Sequence, residues 1–185
     1  VSSGSRVLVN GASGGVGHVA VQVAKARGAA VTATASGPRR EFVASLGADD
    51  FIDYERSPVE QWPTGFDAVL DCVPSLARRT HRALLDRGGH YASTLPDAAT
   101  FLLDPIMNRV GPIRRHGVML APNAAAMEEL LGYVRKGLLR CHVEAEYPLA
   151  RATEGAGVGA MEGIGDRGDQ GVDVGHFDGG EAAFA

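Results

Sequence analysis

Short runs of β-branched and apolar residues alternate along most of the chain with longer amphipathic stretches, and glycine stands at many of the joints. Residues 6–10 (RVLVN) read as a buried strand that stops at the glycine cluster of residues 11–17, GASGGVG. From His18 to Arg27 apolar residues recur at Val19, Ala20, Val23, Ala24 and Ala26, with Lys25 and Arg27 ahead of Gly28. That is the pattern of a helix with one buried face and a glycine stop. Residues 30–35 (AVTATA) form a second strand, 40–46 a second helix closed by Gly47, and 50–54 a third short strand. The next strand falls at 68–72 (AVLDC), after the turn-like Pro63 and Gly65. Residues 76–85 read as a helix closed by Gly88 and Gly89, 89–94 (GHYAST) as a fifth strand, 116–120 (HGVML) as a sixth, and 124–136 as a helix ending at Gly137. Continuous apolar strands that alternate with helices imply a parallel sheet covered on both faces, an α/β doubly wound domain.

Residues 151–185 break the pattern, with ten glycines and seven Asp or Glu against two Arg. Glycine at that density raises the entropy cost of ordering, so an irregular tail is expected after a domain that spans residues 1–150. A length of 185 residues leaves room for one domain and little more. The chain starts at Val1, without Met, and Arg6 already opens a strand, so it is expected to be a piece of something longer.

The chain is 45% hydrophobic and 22% charged, enough to bury a core, and its mean hydropathy is −0.03. A net charge of −4 gives no electrostatic footprint for nucleic acid or an anionic membrane, and no run approaches the length of a membrane span. The two cysteines, Cys72 and Cys141, lie far apart and form no CxxC pair, which excludes a disulfide framework and a cysteine-rich zinc site. A reducing, cytoplasmic setting fits that usage. The six histidines, His18, His81, His90, His116, His142 and His176, show no ligand spacing, and no metal is expected.

The chemistry-bearing feature is Ala12-x-Gly14-x-x-Gly17, the alanine variant of the dinucleotide fingerprint, coming off a strand and opening a helix. Small residues serve three purposes there. Ala12 turns the chain sharply, Gly14 lets backbone approach a pyrophosphate, and Gly17 lets the helix pack close on the strand. The helix N-terminus then offers N–H groups and a partial positive charge to phosphates. The end of the second strand selects the nucleotide, because an acid there binds the ribose of NAD and repels a 2′-phosphate. The sequence at that point is Ser36-Gly37-Pro38-Arg39-Arg40, without a carboxylate. Ser36 can donate a hydrogen bond and Arg39 can fork onto a phosphate, which favours NADPH over NADH. The plain alternative is that both arginines are solvated helix-start residues.

A short-chain dehydrogenase would also need a Tyr-x-x-x-Lys pair, and none of Tyr54, Tyr91, Tyr133 and Tyr147 has one. The succession of residues 6–36, EFVASLGADDFIDY, FDAVLDC, RGGHYASTLPD and the segment from APNAAAMEEL to EYPLARA instead resembles the nucleotide-binding half of a medium-chain dehydrogenase/reductase. The branch it most resembles is the zinc-independent, zeta-crystallin-like quinone oxidoreductases. The resemblance runs from about Ser5 to about Glu154 and implies a six-stranded Rossmann domain with NADPH as hydride donor to quinones, enones or similar electron-poor substrates.

Carried over by position, it implies that Ser13, Gly14, Gly15 and Val16 lie along the pyrophosphate and that Ser36 and Arg39 face the adenosine 2′-phosphate. Tyr54 would close the adenosine pocket, and Ser75 would stand near a ribose, although the glycine-containing loop usual there is VPSLA here. Thr94 and Leu95 would lie along the nicotinamide, whose carboxamide the backbone of Val118, Met119 and Leu120 would hold. Tyr54 also reads as a half-buried strand-end aromatic, and Val118, Met119 and Leu120 as plain core.

The resemblance implies a separate N-terminal substrate-binding domain, expected to be missing here; Tyr147-Pro148-Leu149 still matches and Glu154 nearly so, and the pattern is lost after Glu154. No general acid is identifiable, so the chain alone is expected to bind cofactor and to turn over substrate slowly or not at all. The competing reading is a nucleotide-binding module without catalysis, a redox sensor or structural protein. A methyltransferase on the same fold is disfavoured, because no acid follows the second strand. The resemblance also implies a homodimer that pairs sixth-strand edges across a two-fold axis.

Overall fold

A computed structural model describes residues 1–73, 75–94, 100, 102–118 and 123–143. Strands β1 (Arg6–Asn10), β2 (Ala30–Ala35), β3 (Asp50–Asp53), β4 (Phe66–Asp71), β5 (Leu85–Ser93) and β6 (Arg114–Gly117) form one parallel sheet in the order β3-β2-β1-β4-β5-β6. The chain winds outward from β1 to β3, crosses back to the centre, and winds the other way from β4 to β6. This is the doubly wound Rossmann order, with its topological switch between β1 and β4.

The sheet is buried on both faces because each central strand is apolar at consecutive positions. Val7 and Val9 point into one cluster with Val21 and Ala24 of α1 (Gly17–Ala26), Val31, Ala33 and Val43 of α2 (Arg40–Ser45). Leu8, between them, points into the other cluster with Trp62, Phe66, Val69, Tyr91 and Leu84 of α3 (Arg78–Leu84). Helix α4 (Asp104–Val110) packs beside β6, and α5 (Ala124–Arg135) is capped by the Asn123 side chain and tied to α1 through Arg27 and Glu129 at 2.6 Å. Among the described residues no helix is long and apolar enough to cross a membrane.

The expected elements are present, with two shifts and one addition. The helix expected over 76–85 ends at Leu84, and Leu85 already pairs with Phe66 as the first residue of β5. Gly88 and Gly89 therefore lie within the strand, because burial of Leu85 against β4 ends the helix before any glycine is reached. The sixth strand is Arg114–Gly117, so it starts two residues before the expected His116, and residues 119 and 120 of the expected span lie outside the described residues. Its register is set by His90, Tyr91, Ala92 and Ser93 of β5, and an edge strand tolerates polar side chains because one side faces solvent. Helix α4 has no counterpart in the sequence reading. It holds β6 through Asn108, whose amide accepts from the Arg115 N–H at 2.8 Å and donates to the Arg115 carbonyl at 2.7 Å. The tail from residue 151, with its expected irregularity, lies outside the described residues.

Candidate functional site

The carboxyl ends of all six strands open on one end of the sheet, where the turn after β1 carries the glycine cluster. The sharp turn is made by Gly11, at φ +79°, rather than by Ala12, which is fully buried. A side chain at Gly11 would strike Val73 at 2.5 Å. Gly17 is required for close approach, since a Cβ there would stand 2.1 Å from the Gly11 carbonyl oxygen and 2.8 Å from the Ala12 Cα. Ser13 is half-buried, whereas Gly14, Gly15 and Val16 are exposed, and a Cβ on Gly15 would meet nothing within 4 Å. The protein therefore does not need glycine at position 15 for its own packing.

Helix α1 starts at this turn with no side-chain cap and no acid in its first turn. Gly14 N–H is used by Gly11 and His18 N–H by Gly14, but the N–H groups of Gly15 and Val16 have no partner among the described residues. Unpaired N–H groups at the positive end of a helix form a site for a phosphate. A pyrophosphate fits this cradle of exposed glycine backbone. His18 braces it from behind: its Nδ1 meets the Gly14 carbonyl at 3.0 Å, and its Nε2 accepts from His142 N–H at 3.3 Å. The ring is therefore the Nδ1-protonated tautomer, donating to Gly14.

A buried polar row lies under the turn. Thr34, Asn10, Asp71 and Ser93 occupy paired register positions on β2, β1, β4 and β5. Thr34 Oγ1 donates to Asn10 Oδ1 at 2.6 Å, and Asn10 Nδ2 donates to Asp71 Oδ1 at 2.7 Å. Tyr91 Oη donates to the other carboxylate oxygen at 2.6 Å. Burial pushes the Asp71 carboxyl upward, while the hydrogen bonds from Tyr91 and Asn10 pull it back. The same row reaches the loops above it. Gly11 N–H donates to Thr34 Oγ1, Val73 N–H to Asp71, and Asn10 Nδ2 lies 3.1 Å from Ser75 Oγ. Sequence reasoning missed these residues, although one signal was available: Asn10 and Asp71 are polar at the ends of otherwise apolar strands.

The other expected positions gather at the same end. Ser36 leads from β2 into a 3-10 turn at Gly37–Arg39 that carries Arg39. Arg40 turns away, its guanidinium 4.4 Å from the centre of the Phe51 ring. Tyr54 follows β3, is 43% exposed, and its N–H reaches the Ala35 carbonyl at the end of β2. The carboxylate of Asp53 lies beneath Gly37, paired with Arg56 at 3.6 Å, an acid near the second strand that the third strand supplies. Ser75 and Thr94 follow β4 and β5, and Thr94 N–H donates to the Asp71 carbonyl at 3.1 Å. Val118 follows β6, 47% exposed, with its N–H on the Ser93 carbonyl, so it is not core. Leu95, Met119 and Leu120 lie outside the described residues. Ala12, Ser13, Gly14, Gly15, Val16, Ser36, Arg39, Tyr54, Ser75, Thr94 and Val118 thus all follow the carboxyl ends of strands, and Gly17 opens α1.

Among the described residues no three His, Cys, Asp or Glu side chains come together as a metal ion would need. The described donors do not fit a zinc centre.

Residues 46–156 match the family described as zinc-binding dehydrogenase. The chain is 31% identical over 156 residues to the chloroplast envelope quinone oxidoreductase homolog of Arabidopsis thaliana, covering 81% of this chain and 47% of that one. It is 33% identical over 176 residues to the mitochondrial NAD(P)H oxidoreductase RTN4IP1 of Danio rerio, covering 83% and 45%. Among solved structures, the quinone oxidoreductase from Coxiella burnetii superposes with a TM-score of 0.76 at 26% identity, over 89% of this chain and 51% of that one. The chain spans about half the length of the curated relatives it matches.

Proposed function

The chain belongs to the zinc-binding dehydrogenase family, within the medium-chain dehydrogenases/reductases, and from that premise we propose that it is the dinucleotide-binding part of an oxidoreductase. The proposed reaction passes hydride from NADPH to a quinone, an enone or a similarly electron-poor substrate. The observation that carries it is the uncapped start of α1 behind the exposed Gly14-Gly15-Val16 backbone, at the switch between β1 and β4. Relatives named as quinone oxidoreductases and NAD(P)H oxidoreductases support the reaction class.

Bound nicotinamide dinucleotide supplies the hydride chemistry. The chain supplies binding and orientation. Gly15 and Val16 N–H groups take a phosphate, Ser36 and Arg39 select for a 2′-phosphate, and Tyr54 borders the adenosine end. Ser75, Thr94 and Val118 stand along the crevice toward β6, where the redox end of the cofactor would lie. Asn10 and Asp71 hold the β4 loop in register with the glycine turn. A homodimer across the β6 edge would have to displace the Asn108 amide from Arg115 or form beyond Gly117.

The test is NADPH oxidation in the presence of a simple quinone, followed by nicotinamide absorbance, using this chain alone and joined to a substrate domain. Quinone-dependent consumption that rises sharply with the added domain supports the reading. Intact NADPH binding with no consumption in either form would favour a non-catalytic binding module instead.

A further inference from the structure

The Gly14 carbonyl in the glycine turn is held twice from the helix side. It accepts from the backbone N–H of His18 at 3.0 Å and from Nδ1 of the same residue's ring, also at 3.0 Å. The Gly14–Gly15 peptide is trans, and in a trans peptide the C=O and the N–H point in opposite directions. A carbonyl pinned toward α1 therefore turns the Gly15 N–H outward, where it has no partner among the described residues. Capture of a phosphate gains from an N–H that is already aimed, because a peptide unit free to rotate loses entropy when it is fixed.

His18 is in turn oriented by a segment distant in sequence. The ring is buried and both of its nitrogens are engaged. Nε2 faces the His142 N–H at 3.3 Å, a group that can only donate, so the proton of the neutral ring sits on Nδ1. Gln22, one turn further along α1, fixes that segment with both ends of its amide. Its Nε2 donates to the Arg140 carbonyl and its Oε1 accepts from the Arg140 N–H, each at 2.9 Å. The residues that follow α5 are thus tied, through one imidazole, to the backbone of the phosphate cradle. We propose, resting on the dinucleotide-binding reading above, that His18 is a positioning residue for the nucleotide: His142 sets its tautomer, and its Nδ1–H fixes the Gly14–Gly15 peptide so that the Gly15 N–H meets a phosphate.

Two variants separate this role from packing. His18→Asn keeps an amide N–H near the place of Nδ1 and gives up the contact with His142, whereas His18→Leu gives up both. Each leaves the His142 N–H without its acceptor, so both are expected to lower thermal stability alike. Titrations with NADPH and NADH should part them. His18→Leu is expected to weaken both nucleotides equally, by about fivefold, because the effect falls on the pyrophosphate they share, while His18→Asn stays within about twofold of the parent chain. Equal losses in the two variants, or no loss in either, would overturn the proposal. A nitrogen NMR spectrum of the labelled parent chain in mildly alkaline buffer reads the tautomer without relying on either variant to fold. A protonated Nδ1 and a bare Nε2 are expected for His18, and the opposite tautomer would overturn the proposal. Binding of neither nucleotide by the parent chain would overturn it differently, by removing the dinucleotide site on which it rests.

Discussion

Asn10 and Asp71 face each other at the last register position shared by β1 and β4, and the Asn10 amide donates to the Asp71 carboxylate at 2.7 Å. These two strands belong to opposite halves of the winding, so this bond joins the halves where the crevice opens. Asp71 is fully buried and also accepts from Tyr91, so its removal takes the carboxylate from two buried donors at once. Asp71→Ala is expected to lower stability by about 3 kcal/mol and to loosen the loop holding Val73 and Ser75. A denaturant midpoint equal to that of the parent chain would show that the row contributes nothing.

Two glycines in the same turn separate packing from binding. A Cβ at Gly17 collides with the Gly11 carbonyl at 2.1 Å, whereas one at Gly15 meets nothing within 4 Å. Gly17→Ala is therefore expected to cost stability outright. Gly15→Ala should stay within about 0.5 kcal/mol of the parent in unfolding experiments and still bind dinucleotide more weakly, because its methyl group occupies the approach to the free N–H groups. Unfolding and binding titrations on both variants check this, and undiminished binding by Gly15→Ala would place the phosphate elsewhere.

Acid should weaken the fold through His81. This ring is stacked on Tyr91 with centroids 3.4 Å apart, and burial lowers its pKa to about 4. In the unfolded chain it titrates near 6.5. Between those values the unfolded chain holds a proton that the folded one does not, so stability falls as pH drops from about 6.5 to about 4, by up to about 3 kcal/mol, and this contribution is level above the window. His81→Phe keeps a ring against Tyr91 and removes the titration. Its stability curve should be flatter over that window, and parallel curves would exclude His81 as the source.

The two thiols should differ in reactivity. Burial and the neighbouring Asp71 charge push Cys72 up to about 11, while Cys141 is exposed. At neutral pH an alkylating reagent is expected to label Cys141 readily and Cys72 only after unfolding, which peptide mass mapping would read directly. Comparable labelling of Cys72 in the folded chain would mean that the end of β4 opens far more than its hydrogen bonds imply.

Most of the fold was legible because β1 is apolar at three consecutive positions and the glycine turn has a demanding geometry. Val7, Leu8 and Val9 announce a strand buried on both faces, and the structure puts them into two separate cores. What stayed hidden depended on partners distant in sequence. The edge strand was displaced because Arg114 and Arg115 look like solvent residues, and only the pairing with β5 and the Asn108 amide makes them a strand. The same holds for Leu85, whose local pattern is helical until Phe66 claims it. At the site, the loop positions followed from the turn motif. The Thr34, Asn10, Asp71 and Tyr91 network did not, since it exists only once β2, β1, β4 and β5 are in register.

The most direct measurement is a fluorescence titration of the chain with NADPH and, in parallel, with NADH at fixed salt. Saturable binding of both is expected, with NADPH tighter by about tenfold, a difference of roughly 1.4 kcal/mol, if Ser36 and Arg39 meet the 2′-phosphate as proposed. Equal affinities would remove that role from Ser36 and Arg39 while leaving the glycine cradle in place. Binding of neither nucleotide would contradict the dinucleotide site itself.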